Sequence, residues 1–433
     1  MIKNTFIALS SLLLAVACGA QTPQEGTLQL AAPSSLYLPA KRLERIDSLF
    51  QVYINNQWMA GATALVAKDG KILYYKGAGY KDVARKEAMP KDAIFRIASQ
   101  TKAITSVGIM MLVEEGKLSL NDAVSKFIPE FKKPRVLKDY NAADTTYTTV
   151  PAKREITLHD LLTHTSGIGY AQIGSPTAKA IYYKAGVVGG IGVDRLRLAD
   201  KMKILGTLPL FHQPGEQFTY GLNTDVLGYV IEVASGLSLD QFFQKRIFQP
   251  LGMRDTYFYL PPAKRSRLVT LYTENAEKKI VPAPDTVYMT GNFYPDYPRK
   301  DGTYFSGGGG LSSTAYDYAL FMQMLLNGGT YNGKRLLKKE TVDQMTTNQI
   351  GSLSVGQGDK FGLGFQVIPE SNSGKSPLSV GTFSWGGMFS STYWIDPKEK
   401  IVGQLFINQY PNSHTDIQGK FKALVYEALK GGN

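Results

Sequence analysis

Cysteine is nearly absent from this chain of 433 residues: Cys18 is the only one, and it precedes the expected folded body. Disulfides, thiol catalysis and cysteine-bound zinc are therefore excluded from that body, and its stability has to come from the core. The longest apolar stretch, residues 6–17, falls short of the about 20 residues that a spanning helix needs. No internal repeat is present. Lys and Arg outnumber Asp and Glu by 48 to 36, for a net charge of +12, but they are scattered. Without a long basic block or a recognised nucleic-acid motif, a nucleic-acid partner is not expected. The His-Glu-x-x-His pattern of zinc proteases is missing, and His159 and His164, five apart, read as helix packing or turn capping. The glycine run 307–310 is not followed by Gly-Lys-Ser or Gly-Lys-Thr, so it reads as a tight turn beside a cleft and not as a phosphate cradle. His212 is given no catalytic role. No metal and no cofactor are expected.

What is present fits a globular protein: 43% hydrophobic and 19% charged residues. The length exceeds one ordinary core, so a large domain carrying a substantial insertion, or two domains, is the starting expectation. Lys3 followed by the apolar stretch reads as a signal segment over residues 1–20, so the chain is expected to be exported, to a periplasm or a bacterial envelope. Cys18 follows Leu14-Ala15-Val16-Ala17 and has small neighbours, which leaves two readings of equal weight. One is a lipid-carrying first residue of a mature lipoprotein, the only route to membrane attachment; the other is plain cleavage after Ala17 or Ala20. Residues 21–39, rich in Pro, Ser, Thr and Ala, read as a tether.

The body is expected over residues 40–430. Leu43, Ile46, Leu49, Phe50, Tyr53 and Ile54 form the apolar face of a first helix. Residues 62–66 and 72–75 read as strands joined by Lys68-Asp69-Gly70-Lys71, where Asp-Gly is a hairpin signal. Residues 156–165, 195–204, 225–234 and 315–326 read as helices, residues 364–368, 382–385, 391–395 and 401–408 as strands, and 416–429 as a closing helix. The expected fold is α/β: an antiparallel sheet flanked by helices, built from residues 40–115 and 350–430, around an inserted all-helical region at about 116–349, with a cleft where they meet.

Ser99-Gln100-Thr101-Lys102 stands where an extended run turns helical, since Ala103, Ile104, Val107, Met110, Met111 and Val113 recur at helical spacing up to Gly116. Residues three apart on a helix share a face, which brings the hydroxyl of Ser99 and the amine of Lys102 within reach of each other. Serine becomes a good nucleophile only beside a base, and Lys102 is the candidate. A serine opening a helix is more often an N-cap and a first-turn lysine more often solvated, so the motif needs two downstream companions. One is Phe218-Thr219-Tyr220-Gly221-Leu222-Asn223-Thr224-Asp225, a turn into a helix. Its phenol could act as acid or base beside a cation, the alternative being a packed tyrosine bonded to backbone. The other is Ser384-Trp385-Gly386-Gly387-Met388, where glycines in a strand mark either close approach of a ligand or a bulge.

Taken with Phe95-Arg96-Ile97-Ala98, Leu158-His159-Asp160-Leu161-Leu162-Thr163-His164-Thr165-Ser166-Gly167, Pro214-Gly215 and the stretch 308–317, the chain resembles the class C β-lactamase-like serine hydrolases of the penicillin-binding-protein fold, and within them the family VIII carboxylesterases. The resemblance runs from about residue 43 to 429. It implies that Ser99 is the nucleophile, that Lys102 and Tyr220 form its acid/base network, and that the N–H groups of Ser99 and Met388 form an oxyanion hole, with Trp385, Gly386, Gly387 and Asn223 on the substrate side. The family's asparagine usually follows the tyrosine by two places, but that place holds Leu222, and a shift of one residue rotates a helical side chain by about 100°. Trp385 stands where β-lactamases and many penicillin-binding proteins carry a lysine or histidine that reads a substrate carboxylate. Indole carries no charge, which favours neutral esters. The expected function is thus an exported serine hydrolase cleaving carboxylic esters through a Ser99 acyl-enzyme, its partner a small ester or amide substrate. The alternatives are a β-lactamase or D-amino-acid peptidase, or a silent envelope-binding protein. Nothing in the residues bears on oligomeric state.

Overall fold

The computed structural model describes residues 27–36, 39–192, 195–284 and 294–429. The expected signal segment and Cys18 lie outside them. The frame is an open sheet, nine-stranded among the described residues. Its central strands run in the order Lys71–Asp82, Gly61–Lys68, Ile401–Phe406, Ser391–Asp396 and Phe383–Gly387, each antiparallel to the next. Gly61–Lys68 and Lys71–Asp82 are joined as the Asp-Gly signal requires: Asp69 and Gly70 have φ of 51° and 75°, the left-handed pair of a tight hairpin turn.

Alternation along these strands builds two cores. Ala62, Ala64 and Val66, with Trp394, Ile401 and Leu405, face the helix pair Ala40–Asn55 and Asp416–Leu429. Leu65 and Ala67, with Tyr393, Ile395, Val402 and Phe406, face the larger core around the helices Thr101–Glu114 and Ala315–Leu326. Because side chains point to opposite faces with a period of two, a sheet covered on both sides reads as an unbroken apolar run. The helix Thr101–Glu114 is buried from Thr101 to Leu112, as its apolar composition on all sides demands.

The inserted region is helical in the main but not throughout. Hairpins form from Arg135–Asn141 with Thr146–Pro151, from Tyr272–Glu274 with Ile280–Pro282, and from Thr330–Tyr331 with Lys334–Arg335. The first carries a Thr- and Tyr-rich run of high strand preference, and the last turns on Asn332-Gly333. The stretch read as a tether is also partly docked: Gln29–Leu30 adds a parallel edge strand beside Lys71–Ile72, and Leu28 is buried with its N–H on the Tyr331 hydroxyl.

Candidate active site

Three segments distant in sequence meet at Ser99. The short strand Phe95–Arg96 leads into a 3-10 turn, Ala98–Gln100, and then directly into the helix Thr101–Glu114. Ala98 adopts φ of +44°, a left-handed conformation that costs a residue with a Cβ of the order of 1–2 kcal/mol. That kink redirects the chain from strand to helix and leaves Ser99 at the rim, 9% exposed. One helical turn on, the Lys102 amine lies 3.3 Å from Ser99 Oγ and donates to the Gly308 carbonyl at 2.6 Å.

The glycine run 307–310 is a turn wedged beside this helix. A Cβ on Gly307 would come within 2.4 Å of the Thr224 carbonyl, and one on Gly308 within 2.2 Å of Asp225 Oδ2. Only glycine allows that approach, which delivers the carbonyl that anchors Lys102. Behind the turn Asp225 is fully buried, and its carboxyl accepts from the Ser306 hydroxyl at 2.6 Å. Burial pushes the Asp225 carboxyl up, while the Ser306 hydroxyl and the nearby Lys102 charge pull it down.

Tyr220, just before the helix Asn223–Ser235, donates its hydroxyl to Ser99 Oγ at 2.7 Å. The Trp385 indole N–H points at the same phenolic oxygen from 3.4 Å. The Lys102 amine sits 4.7 Å from the centre of the Tyr220 ring and 5.5 Å from that of Tyr170, which stacks on Tyr220 at 5.6 Å. Burial first, then the neighbouring Tyr220 and Asp225, drives the Tyr170 phenol well above its ordinary value and keeps it protonated. Trp385, Phe361 and Phe218 continue an aromatic wall, with ring centres 5.4 and 5.2 Å apart in succession.

Trp385, Gly386, Gly387 and Met388 are half-buried at the end of the strand Phe383–Gly387 and in the turn after it. This strand end abuts the nucleophile turn: a Cβ on Gly387 would lie 2.4 Å from the Ile97 carbonyl. The site thus brings together Ser99, Lys102, Tyr220 and Trp385 and sets Gly387 and Met388 beside them.

Asn223 is the correction. It is fully buried and turned from the cleft, its carbonyl oxygen accepting from Ser166 Oγ at 2.5 Å and its amide nitrogen lying 2.8 Å from His164 Nδ1. The one-residue offset rotates the amide inward, and Leu222 joins the apolar core. His164, read as packing, stands directly behind Tyr220, with ring centres 5.0 Å apart. Sequence reasoning missed Tyr170, Asp225 and the left-handed Ala98. Of these only Asp225 carried a signal, as a carboxylate in a first helical turn that runs on into the apolar Val226 and Leu227.

Among the described residues no group of three or more His, Cys, Asp or Glu side chains is placed to hold a metal ion. A surface cavity of about 620 Å3 lined by Asp69, Asn327, Asn332 and Lys400 includes none of the residues above.

The chain is similar to several known proteins. Residues 46–427 match the Beta-lactamase family. An uncharacterized protein of Mycobacterium tuberculosis is 34% identical over 376 residues, covering 83% of this chain and 88% of that one. Esterase EstB of Burkholderia gladioli is 31% identical over 372 residues, covering 84% of this chain and 90% of the esterase. The solved structure of EstCE1, described as a hydrolase with promiscuous acyltransferase activity, superposes with a TM-score of 0.77 at 26% identity, over 89% of this chain and 99% of that one.

Proposed function

The chain belongs to the beta-lactamase family, and from its place among the esterase- and acyltransferase-like serine hydrolases of that family we propose that it cleaves neutral carboxylic esters through an acyl-enzyme on Ser99. The observation that carries this is the convergence on one hydroxyl of the Lys102 amine at 3.3 Å and the Tyr220 phenol at 2.7 Å, beneath a tryptophan.

In the first step Ser99 Oγ bonds to the ester carbonyl carbon while its proton passes into the Lys102 and Tyr220 pair. The electron pair moves to the carbonyl oxygen, which the N–H groups of Ser99 and Met388 receive. Collapse of the tetrahedral species breaks the bond to the alcohol oxygen, and Tyr220 returns the proton to that oxygen. Water then attacks the acyl-enzyme by the reverse relay and releases the acid. Lys102 stays engaged with the Gly308 carbonyl at 2.6 Å, which leaves it little freedom to swing toward solvent.

Ester rather than β-lactam or stem peptide follows from Trp385. Its indole continues the wall of Tyr220, Phe361 and Phe218 and supplies one N–H and no charge where a substrate carboxylate would need a cation. The proposal also carries export to the bacterial envelope, supported by the apolar leader and tested by mass spectrometry of the mature N-terminus.

Ser99→Ala should abolish hydrolysis of short p-nitrophenyl esters with an unchanged melting temperature, and a fluorophosphonate should add to Ser99 alone. Normal turnover by Ser99→Ala would refute the acyl-enzyme. Nitrocefin or a D-Ala-D-Ala peptide turned over faster than the esters would refute the substrate class.

A further inference from the structure

We propose that His164 is the positioning residue for Tyr220: a neutral imidazole whose Nδ1 lone pair and main-chain carbonyl hold the turn 219–221, and so keep the phenol on Ser99. This rests on the reading of Tyr220 as the proton-transfer group.

The turn is bonded to one short segment from both sides of the tyrosine. Thr219 donates its N–H to the His164 carbonyl at 2.8 Å, Gly221 points its N–H at His164 Nδ1 from 3.5 Å, and Leu222 donates to the Gly169 carbonyl at 3.0 Å. His164 itself is held with φ of +56°, and its ring is 1% exposed, packed against Tyr220, Phe218 and Phe361. Asn223 sets the tautomer. Ser166 Oγ accepts the Ile168 N–H at 3.0 Å and donates its own proton to Asn223 Oδ1 at 2.5 Å. That turns the Asn223 amide N–H toward His164 Nδ1, which must be the acceptor, with the ring proton on Nε2. Burial first, and then the charge of Lys102, hold the imidazole well below its ordinary pKa, so the lone pair persists across neutral pH. Protonation would place an N–H against the Asn223 N–H, and loss of the ring would leave that buried donor unpaired.

A pair of near-isosteric replacements separates this role from bulk. His164→Asn puts a carbonyl oxygen close to the place of Nδ1, and asparagine tolerates the left-handed backbone; His164→Leu has the same size and no acceptor. With p-nitrophenyl butyrate as substrate, His164→Asn should keep kcat within about threefold of the parent, and His164→Leu should lose about tenfold or more with KM within about twofold. Equal losses in the two variants, or a His164→Leu protein that melts lower but retains kcat, would overturn the proposal. If His164→Leu does not fold, Ser166→Ala removes the donor that orients Asn223, together with the acceptor of the Ile168 N–H. It should lower kcat by at least about threefold at constant KM, and an unchanged kcat would count against the proposal. In a Tyr220→Phe background the His164→Leu loss should shrink to less than about twofold, because the hydroxyl being positioned is gone. An undiminished loss there refutes this inference alone. A Tyr220→Phe enzyme with unchanged kcat refutes the reading of Tyr220 and this inference with it.

Discussion

Gly387→Ala adds a single methyl group where the strand Phe383–Gly387 ends against the nucleophile turn. The new Cβ would lie 2.4 Å from the Ile97 carbonyl oxygen and 2.4 Å from Ser391 Oγ, whereas ordinary contact begins at 3.4 Å. Something must therefore move by about 1 Å. The Ile97 carbonyl cannot yield freely, because it accepts the Gln100 N–H at 3.1 Å inside the turn and the Ile97 N–H is bonded to the Leu311 carbonyl at 3.1 Å. Ser391 is the cross-strand partner of Gly387 and is itself buried. Whichever side gives way, the distance between Ser99 and the Met388 N–H changes by most of that 1 Å, and a misplacement of this size costs about 100-fold in rate. Gly387 has no positive φ, so the effect is one of contact alone. Gly386→Ala is the control, since its Cβ would meet only the Ser391 carbonyl at 3.0 Å. Steady-state hydrolysis of p-nitrophenyl butyrate, with the rate of fluorophosphonate labelling of Ser99 as a second readout, should give a loss of about 100-fold for Gly387→Ala and less than about fivefold for Gly386→Ala. A Gly387→Ala enzyme within about threefold of the parent would show that the strand end does not build the oxyanion site.

Trp385→Phe keeps an aromatic ring but deletes the N–H aimed at the Tyr220 oxygen from 3.4 Å, and should lower kcat about fivefold at unchanged KM for apolar esters. A change confined to KM would make Trp385 wall and nothing more. Asp317 gives a pH-dependent stability. Burial, opposed by hydrogen bonds from the Asp255 amide and the Thr256 hydroxyl, pushes its carboxyl from 3.8 up to about 6. A folded-state pKa above the unfolded one stabilises fully below pH 3.8, and that stabilisation is lost as pH rises through about 6. Between pH 4 and 7 Asp317→Asn should therefore gain about 2 kcal/mol relative to the parent in urea unfolding, and parallel curves would refute the assignment.

Spacing made half of the site legible. Ser99 and Lys102 are three residues apart at a strand-to-helix junction, and helical geometry alone puts their side chains on one face. The helices Ala315–Leu326 and Asp416–Leu429 fall where the apolar periodicity ends, and the Asp69-Gly70 turn where its backbone requirement is met. The hairpin signals of Asn332-Gly333 and the Thr-rich run 146–150 were equally present, but a largely helical stretch around them hid two-stranded pieces whose pairing is local and short. Ala98 gave no warning of its left-handed backbone, because the cluster it packs into, with Ile191, Leu271, Tyr297 and Phe389, is assembled from distant segments that hold the strained conformation in place. Asn223 turned inward onto Ser166 and His164, a placement that its residue type did not record.

By itself the sequence determined which residues can do the chemistry, which faces are buried and where the chain turns, because these depend on side-chain type and on periods of two and 3.6 residues. Tertiary structure alone decided that the phenol of Tyr220, 121 residues from Ser99, meets that hydroxyl, that a glycine turn supplies the carbonyl holding Lys102, and that Asn223 looks inward. Such encounters are set by how closely backbones approach at glycines and how side chains interlock across elements, and no local pattern records which distant segment will fill a given space.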